Sequence, residues 1–538
     1  MKLKILLAAV FNEKPLKIEE IGIASIAAVL RENGYQIMIT GGSENEIDYS
    51  KIIHLQPDII GCPVYSISKS SFYKFCLRVK EYLPRVYICA GGNFPTFNAR
   101  EMMNEAHFID FIVRGEGEFT FLELAASIEG KKDFKNIKGL VYRAGDKIIV
   151  NDDRELIPDI NRLPFPHRDF LIANKSKIAP ISTSRGCMAH CTFCFAGPFW
   201  KKWRGRNVEN ILAEITYLYQ LGIKHFMFVD SSFEDSYEGL NRLKGIAQGI
   251  IDMKLDISYR VNLRTDFYQK ANSGITDLLK KSGLSLVLIG IESGNEEDLK
   301  LYGVTTSPGE NSNCLEFFRN HQIPIEFGFI NFNPYSTFER LKKNIDFLEK
   351  NRLSFSLYKI KSRYQNLKGN PLSEKVRRDK LIKKGKFDDY FNYDFVDRRV
   401  GLLWDYIASY YEKTRAIMEG IMSREFYLAK LNLLKEKIKD DNKAREIIRL
   451  HNLEIKEKLD EIGKNNAECF RELIFLAEHS WDEKKADMIT DKFCSMDDLQ
   501  ETSINMKRKG IQFLQKMYSL GPRYSDILGM FFLDLGTN

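Results

Sequence analysis

Three cysteines stand close together in Ser184-Arg185-Gly186-Cys187-Met188-Ala189-His190-Cys191-Thr192-Phe193-Cys194, spaced C-x3-C-x2-C. Thiolates are soft ligands that suit zinc and iron–sulfur clusters. A structural zinc needs a fourth ligand to close its tetrahedron. His190 is the one candidate nearby, and as the chain neighbour of Cys191 it cannot easily face the same ion. A four-iron cluster held by three cysteines instead leaves one iron open to a chelating molecule. The competing readings are three buried thiols or a zinc knuckle, and both sit badly with three reactive thiols on one loop. Cys187, Cys191 and Cys194 are therefore the candidate ligands of a [4Fe–4S] cluster.

The other six of nine cysteines are scattered, at 62, 76, 89, 314, 469 and 494. No disulfide framework is expected, and a reducing compartment is implied. Lys and Arg number 80 against 73 Asp and Glu, a net charge of +7 spread along the chain. Charge alone therefore points to no nucleic-acid partner. No apolar run reaches the roughly 20 residues of a membrane helix. The opening MKLKILLAAVF imitates a signal peptide, but its apolar core is short and Asn12-Glu13-Lys14 follows at once. A buried first strand is the better reading, and the expectation is a cytoplasmic protein with no membrane partner.

The elements that must position the triplet follow from periodicity. At 538 residues, two or three domains are expected, and 44% hydrophobic content is enough to build their cores. Over the first ~130 residues, strand-length apolar runs (Lys4–Val10, Tyr35–Thr40, Ile59–Val64, Val86–Ala90, Phe108–Val113) alternate with amphipathic stretches such as Ile21–Asn33 and Ser70–Tyr82. That pattern predicts a parallel sheet covered on both faces. A connector with a small hairpin (Gly139–Val150) and the segment Leu163-Pro164-Phe165-Pro166 follows. Alternation resumes after Ile181, with a helix at Asn207–Leu221 and strands at Phe226–Val229, Ile257–Val261, Leu286–Ile291 and Ile325–Asn331. Beyond about residue 400 only helical patterns remain, including the charged stretch Glu436–Ile462 with one apolar stripe, read as a solvated helix. The expected division is an α/β Rossmann-like domain over 1–135, a connector over 136–180, a second β/α unit over 181–395 and an all-helical domain over 396–538.

C-x3-C-x2-C with an aromatic residue, Phe193, before the last cysteine resembles the signature of radical S-adenosylmethionine enzymes. The resemblance implies a partial (β/α)6 TIM-type barrel with the cluster loop after its first strand. It further implies that the open iron binds the amino and carboxylate groups of S-adenosylmethionine, which is cleaved to a 5′-deoxyadenosyl radical. Trp203-Arg204-Gly205-Arg206-Asn207, Phe228-Val229-Asp230-Ser231-Ser232-Phe233 and Arg264-Thr265-Asp266 are similar to the family's later motifs, and so is Gly290-Ile291-Glu292-Ser293-Gly294. Phe193, Arg264, Glu292 and Ser293 are thereby implied to contact the cofactor. A barrel-stabilising ion pair is the alternative role for Arg264 or Glu292. Phe329-Ile330-Asn331-Phe332-Asn333-Pro334 stands where many relatives have a glycine-rich turn.

The first domain ends its strands in Cys62-Pro63-Val64-Tyr65-Ser66, Gly91-Gly92-Asn93-Phe94-Pro95-Thr96 and Arg114-Gly115-Glu116-Gly117-Glu118. Ligands of open parallel sheets bind at these carboxyl ends, where glycines allow close backbone approach. Plain turn chemistry is the alternative. The order of these loops, with the helix segment Ile21–Ala28, resembles the cobalamin-binding domain that precedes many radical S-adenosylmethionine cores. Cobalamin contacts are implied for Tyr65, Ser66, Gly91, Gly92, Asn93, Pro95, Thr96, Gly115, Glu116 and Gly117. Methionine-synthase-type domains ligate cobalt through the histidine of an Asp-x-His-x-x-Gly motif. Val10–Lys17 contains no histidine, which implies cobalt without a protein histidine from this loop.

The resemblance covers residues 1–365 and implies a cobalamin-dependent methyltransferase acting on an unactivated carbon of a small-molecule or peptide substrate. A cobalamin-assisted cyclase or rearrangement enzyme and a non-enzymatic corrinoid or metal sensor are the alternatives. The cluster would need an external electron donor such as flavodoxin or ferredoxin.

Overall fold

A computed structural model describes residues 2–11, 19–383, 390–438, 441–521 and 524. In the first unit, β1 (Lys4–Phe11), β2 (Gln36–Ser43), β3 (Ile59–Pro63), β4 (Tyr87–Gly91) and β5 (Phe111–Val113) run parallel in the order β2-β1-β3-β4-β5. The run Ile5–Val10 is buried throughout because alternate residues feed two separate cores. Leu6, Ala8 and Val10 pack with Phe72 and Phe75 on one face, while Ile5, Leu7 and Ala9 pack with Ala27, Phe121 and Leu124 on the other.

The predicted connector divides in two. Its hairpin, β6 (Leu140–Ala144) and β7 (Lys147–Val150), pairs antiparallel with β5 and extends the first sheet. Residues 151–177 then cross to the second unit. There β8 (Ile178–Ile181) is followed by a two-residue ribbon, β9 (Ser184–Arg185) paired with β10 (Arg204–Gly205). Next come β11 (His225–Phe228), β12 (Ser258–Leu263), β13 (Leu284–Glu292) and β14 (Ile325–Phe329). These five longer strands are all parallel and neighbour one another in chain order. A parallel bridge from Phe332 to Arg363 begins a sixth position. This is a partial β/α barrel, as the triplet's context implies.

Long helices close the chain at Arg398–Lys437, Asn442–His479, Glu483–Cys494 and Met496–Tyr518. The second packs on the barrel helix Phe338–Lys350, and its Asn466 amide donates to the carbonyls of Ser354 and Phe355 at 3.0 and 3.1 Å. Among the described residues no helix is long and apolar enough to cross a membrane.

Candidate active site

The triplet occupies the loop after β8, held from three sides. Thr192 donates its N–H to the Tyr302 carbonyl (2.8 Å) and its hydroxyl to the Leu301 carbonyl (2.6 Å), and its own carbonyl accepts from Leu372 N–H (2.9 Å). Met188 N–H donates to the Asp235 carboxylate at 2.7 Å. Phe193 packs edge-on against Tyr302, ring centres 5.5 Å apart, and so anchors the loop to the barrel core. Gly186 must be glycine, since its φ is +92° and a Cβ would lie 2.5 Å from the Lys202 carbonyl.

All three cysteines are half-buried. Burial pushes the Cys187 thiol up to about 11 and the Cys191 thiol up to about 12, and raises Cys194 as well. Free thiols so placed stay protonated and make poor nucleophiles; a metal centre deprotonates its thiol ligands outright. The surroundings already suit sulfur ligands, because backbone N–H groups of Ala189 and Ala196 donate to the Cys187 and Cys194 sulfurs at 3.4 Å. Among the described residues no three His, Cys, Asp or Glu side chains close on a single-ion position.

Glu292, at the end of β13, adopts φ +61°, a left-handed conformation that costs a non-glycine residue about 1 kcal/mol or more. The register slips between Gly290 and Glu292, and the carboxylate folds back over Gly290 and Gly328, where a Cβ would collide or crowd it. Its charge helps to raise the Cys191 and Cys194 thiols, so it lies within electrostatic reach of the triplet. Burial, partly offset by Lys359, holds this carboxyl up at about 7. Arg264 lies close enough to Cys187 to influence it, but it is engaged by Asp235 and by Asp266 at 3.2 Å. The expected ion-pair alternative describes Arg264. The pair braces the loop, because the same Asp235 accepts from Met188. Ser293 is turned away: its buried hydroxyl donates to Asn344 at 2.9 Å and accepts from Asn295. Asn331, just past β14, is fully buried, and its amide oxygen has no hydrogen-bond partner among the described residues.

A cavity of about 430 Å³ lies between the two units. Of the residues expected at the first sheet's carboxyl edge, Tyr65, Gly91, Gly92, Asn93, Gly115, Glu116 and Gly117 line it. Ser66, Pro95 and Thr96 do not. Gly92, at φ +99°, is the N-cap of a helix that begins at Asn93, so Pro95 and Thr96 belong to its first turn rather than to a loop. Pro95 is buried, and the Thr96 hydroxyl donates to the Gly92 carbonyl (2.6 Å) while accepting from Gly115 N–H (3.0 Å). It ties two glycine loops together from behind. Ser66 faces a small neighbouring crevice. The opposite wall comes from the cluster loop's two ends, Gly186 and Phe195, with Phe199 and Trp200 beyond.

Known proteins match this arrangement. Residues 8–125 match the B12 binding domain and residues 181–348 match the Radical SAM superfamily. The chain belongs to the radical S-adenosylmethionine superfamily and carries a B12 binding domain ahead of its barrel. The enzyme is 27% identical over 431 residues to the uncharacterized methyltransferase PH0819 of Pyrococcus horikoshii, covering 76% of this chain and 91% of that one. It is 25% identical to the anaerobic magnesium-protoporphyrin IX monomethyl ester cyclase of Synechocystis, over 56% of this chain and 62% of that one. Its fold matches the cobalamin-dependent S-adenosylmethionine radical enzyme OxsB, solved with aqua-cobalamin and S-adenosylmethionine bound. That match has a TM-score of 0.70 at 19% identity and covers all of this chain and 84% of that one.

Iron–sulfur cluster, S-adenosylmethionine and cobalamin are the enzyme's cofactors, and its cradles fit them. A Cβ on Gly22 or Gly115 would meet nothing within 4 Å, so both backbones stand open to the cavity. Residues 12–17, within the histidine-free segment, lie outside the described residues.

Two features of the site escaped the sequence reading. Ile160, Leu163, Pro164, Phe165 and Pro166 of the connector form a wall of the cavity. The signal was there, since a plain linker carries few apolar residues between its prolines. The second is a buried clasp. Arg185, two residues before Cys187, donates to Glu116 and to Glu118 at 2.5 Å each. Glu118 also accepts from Ser25 (2.9 Å), and Glu116 from Arg204 and from Ile157 N–H (2.8 Å each). Glu116 lines the cavity, yet its carboxylate is already engaged by arginines rather than free for a ligand.

Proposed function

We propose that the enzyme transfers a methyl group to an unactivated carbon of a small-molecule or peptide substrate, working in the cytoplasm. The supporting observation is a cavity whose walls are the B12 domain's strand ends on one side and the ends of the cluster loop on the other. When bound, the cluster and S-adenosylmethionine supply a 5′-deoxyadenosyl radical, and methylcobalamin supplies the methyl group. The protein's task is to position these groups and exclude water. Cys187, Cys191 and Cys194 would hold the cluster, and Glu292 and Asn331 would offer acceptors to the ammonium or hydroxyl hydrogens of S-adenosylmethionine. Gly22, Gly91, Gly92 and Gly115 would let the corrin rest on backbone. In the cavity wall Glu116 and Glu118 bind Arg185, Arg206 is held by Glu214 behind the wall, and Glu20 accepts from the Tyr65 hydroxyl at 2.7 Å. They serve as scaffold, and no side chain is assigned as general acid or base.

The test is product analysis with the anaerobically reconstituted, cobalamin-loaded enzyme and extracts of its source as substrate. Methyl transfer gives S-adenosylhomocysteine beside 5′-deoxyadenosine. The similarity to a cyclase keeps rearrangement as the second reading, which would give 5′-deoxyadenosine without S-adenosylhomocysteine. Failure to cleave S-adenosylmethionine on reduction would leave the sensor.

A further inference from the structure

Tyr302 is wholly buried where the short helix Glu296–Leu301 ends, and it meets the cluster loop twice. Its carbonyl accepts the Thr192 N–H at 2.8 Å, and its ring packs edge-on against Phe193. The side chain then reaches the other way. Its hydroxyl donates to the Ile330 carbonyl at 3.2 Å, just past β14, and accepts from the Asn333 amide at 2.9 Å. Ile330 in turn donates its N–H to the Glu292 carbonyl at 2.7 Å. Three hydrogen bonds thus lead from the triplet's loop to Glu292, and the path passes beside Asn331.

That path joins parts which the sheet leaves apart. The cluster loop follows β8, whereas Glu292 and Asn331 stand at the ends of β13 and β14. β8 and β14 are opposite edges of the five-stranded sheet, so strand pairing does not set one directly against the other. The far end of the path is itself held. The Asn333 amide also donates to the Asp298 carboxylate at 2.9 Å, its side-chain carbonyl accepts the Tyr335 N–H at 2.9 Å, and both Asp298 and Asn333 are fully buried. The Asp298 carbonyl accepts the Tyr302 N–H at 2.8 Å and closes the circuit. A buried hydroxyl must find partners, and a phenylalanine would fill nearly the same space without any. The hydroxyl therefore adds a connection rather than bulk.

We propose that Tyr302 is a positioning residue, whose hydroxyl sets the spacing between the cluster loop and the ends of β13 and β14. On the reading that Glu292 and Asn331 offer acceptors to S-adenosylmethionine, that spacing decides whether the cofactor can meet the cluster and those acceptors at once. Groups that grip one molecule from two elements add their holds only when their separation is right. A misplacement of about 1 Å can cost about a hundredfold in rate. Loss of the hydroxyl should therefore leave the cluster in place and loosen the cofactor's second hold.

The test titrates the full-length, anaerobically reconstituted protein with the aza analogue of S-adenosylmethionine, in which nitrogen replaces the sulfonium sulfur and cleavage is blocked. The readout is the spin-resonance signal of the reduced cluster. Tyr302→Phe should keep the parent's iron content and its signal before the analogue is added. It should raise the analogue concentration that converts half the signal by about tenfold. Tyr259→Phe is the control, since this tyrosine is buried in the same barrel but bonds Ser282 at 2.7 Å, away from the loop. It should lower the melting temperature, as Tyr302→Phe does, yet leave the titration unchanged. In a Glu292→Ala background the further loss caused by Tyr302→Phe should shrink to about threefold or less, because less remains to be positioned, while the melting temperatures stay additive. An unchanged titration in Tyr302→Phe, an undiminished tenfold loss in the Glu292→Ala background, or loss of iron in Tyr302→Phe would each overturn the positioning role alone. A parent protein whose cluster signal ignores the analogue would overturn the S-adenosylmethionine reading together with it.

Discussion

At the scale of the residue, ligand chemistry decides the outcome. Changing Cys187, Cys191 or Cys194 to Ala should remove most of the iron and abolish S-adenosylmethionine cleavage, while changing any of the other six cysteines should leave iron content intact. Full iron in Cys191→Ala would defeat the assignment. Glu292 offers a sharper test because its backbone is strained. Glu292→Gly relieves the left-handed φ and should hold or raise stability by up to about 1 kcal/mol, yet it should weaken S-adenosylmethionine binding. Glu292→Ala keeps the strain and should lose binding without that gain. Equal melting temperatures for the two variants would show that the strain stores nothing. Cobalt, lacking a histidine from the first loop, should give a Co(II) spin-resonance spectrum without axial-nitrogen splitting.

Elements explain what was legible in the sequence and what was not. The triplet could be read because cluster chemistry fixes both residue type and spacing. The strands could be read because burial on both faces demands unbroken apolar runs such as Ile5–Val10. The direction of Ser293 was not legible because the left-handed Glu292 before it breaks the alternation from which a strand residue's direction is inferred. Asn93, Pro95 and Thr96 looked like loop residues because a proline usually ends regular structure. Here Pro95 sits in a first turn, where its missing N–H costs nothing. Gly22 now gives a cleaner probe of the cavity than Gly92, whose positive φ would strain any side chain. Gly22→Trp sits in a helix with open space before it, and should exclude cobalamin while leaving iron content unchanged. Stoichiometric cobalt in that variant would remove the cavity from consideration. In the clasp, Arg185→Lys keeps a charge but not the two-pronged fork. It should weaken cobalamin retention by about tenfold, some 1.4 kcal/mol, measured by corrinoid titration.

Across the whole molecule, the two units are joined by buried charge. Arg168 of the connector donates to Glu19 of the first unit at 2.6 Å and to Glu214 of the barrel at 2.5 Å, all three buried. Arg168→Met should strand Glu19 and cost about 3–5 kcal/mol, seen as a lowered denaturation midpoint. An unchanged midpoint would mean that water already reaches the pair. The proline-bearing wall has a different consequence, for anyone who would recombine these proteins. Ile160–Pro166 is tether and cavity wall at once, so the portable unit that builds the cavity does not stop where the first sheet's parallel strands stop. A chimera spliced near residue 135 would inherit its donor's glycine loops but its recipient's wall. One spliced beyond Ser176 would carry both, and only the second should keep the donor's grip on its cofactor.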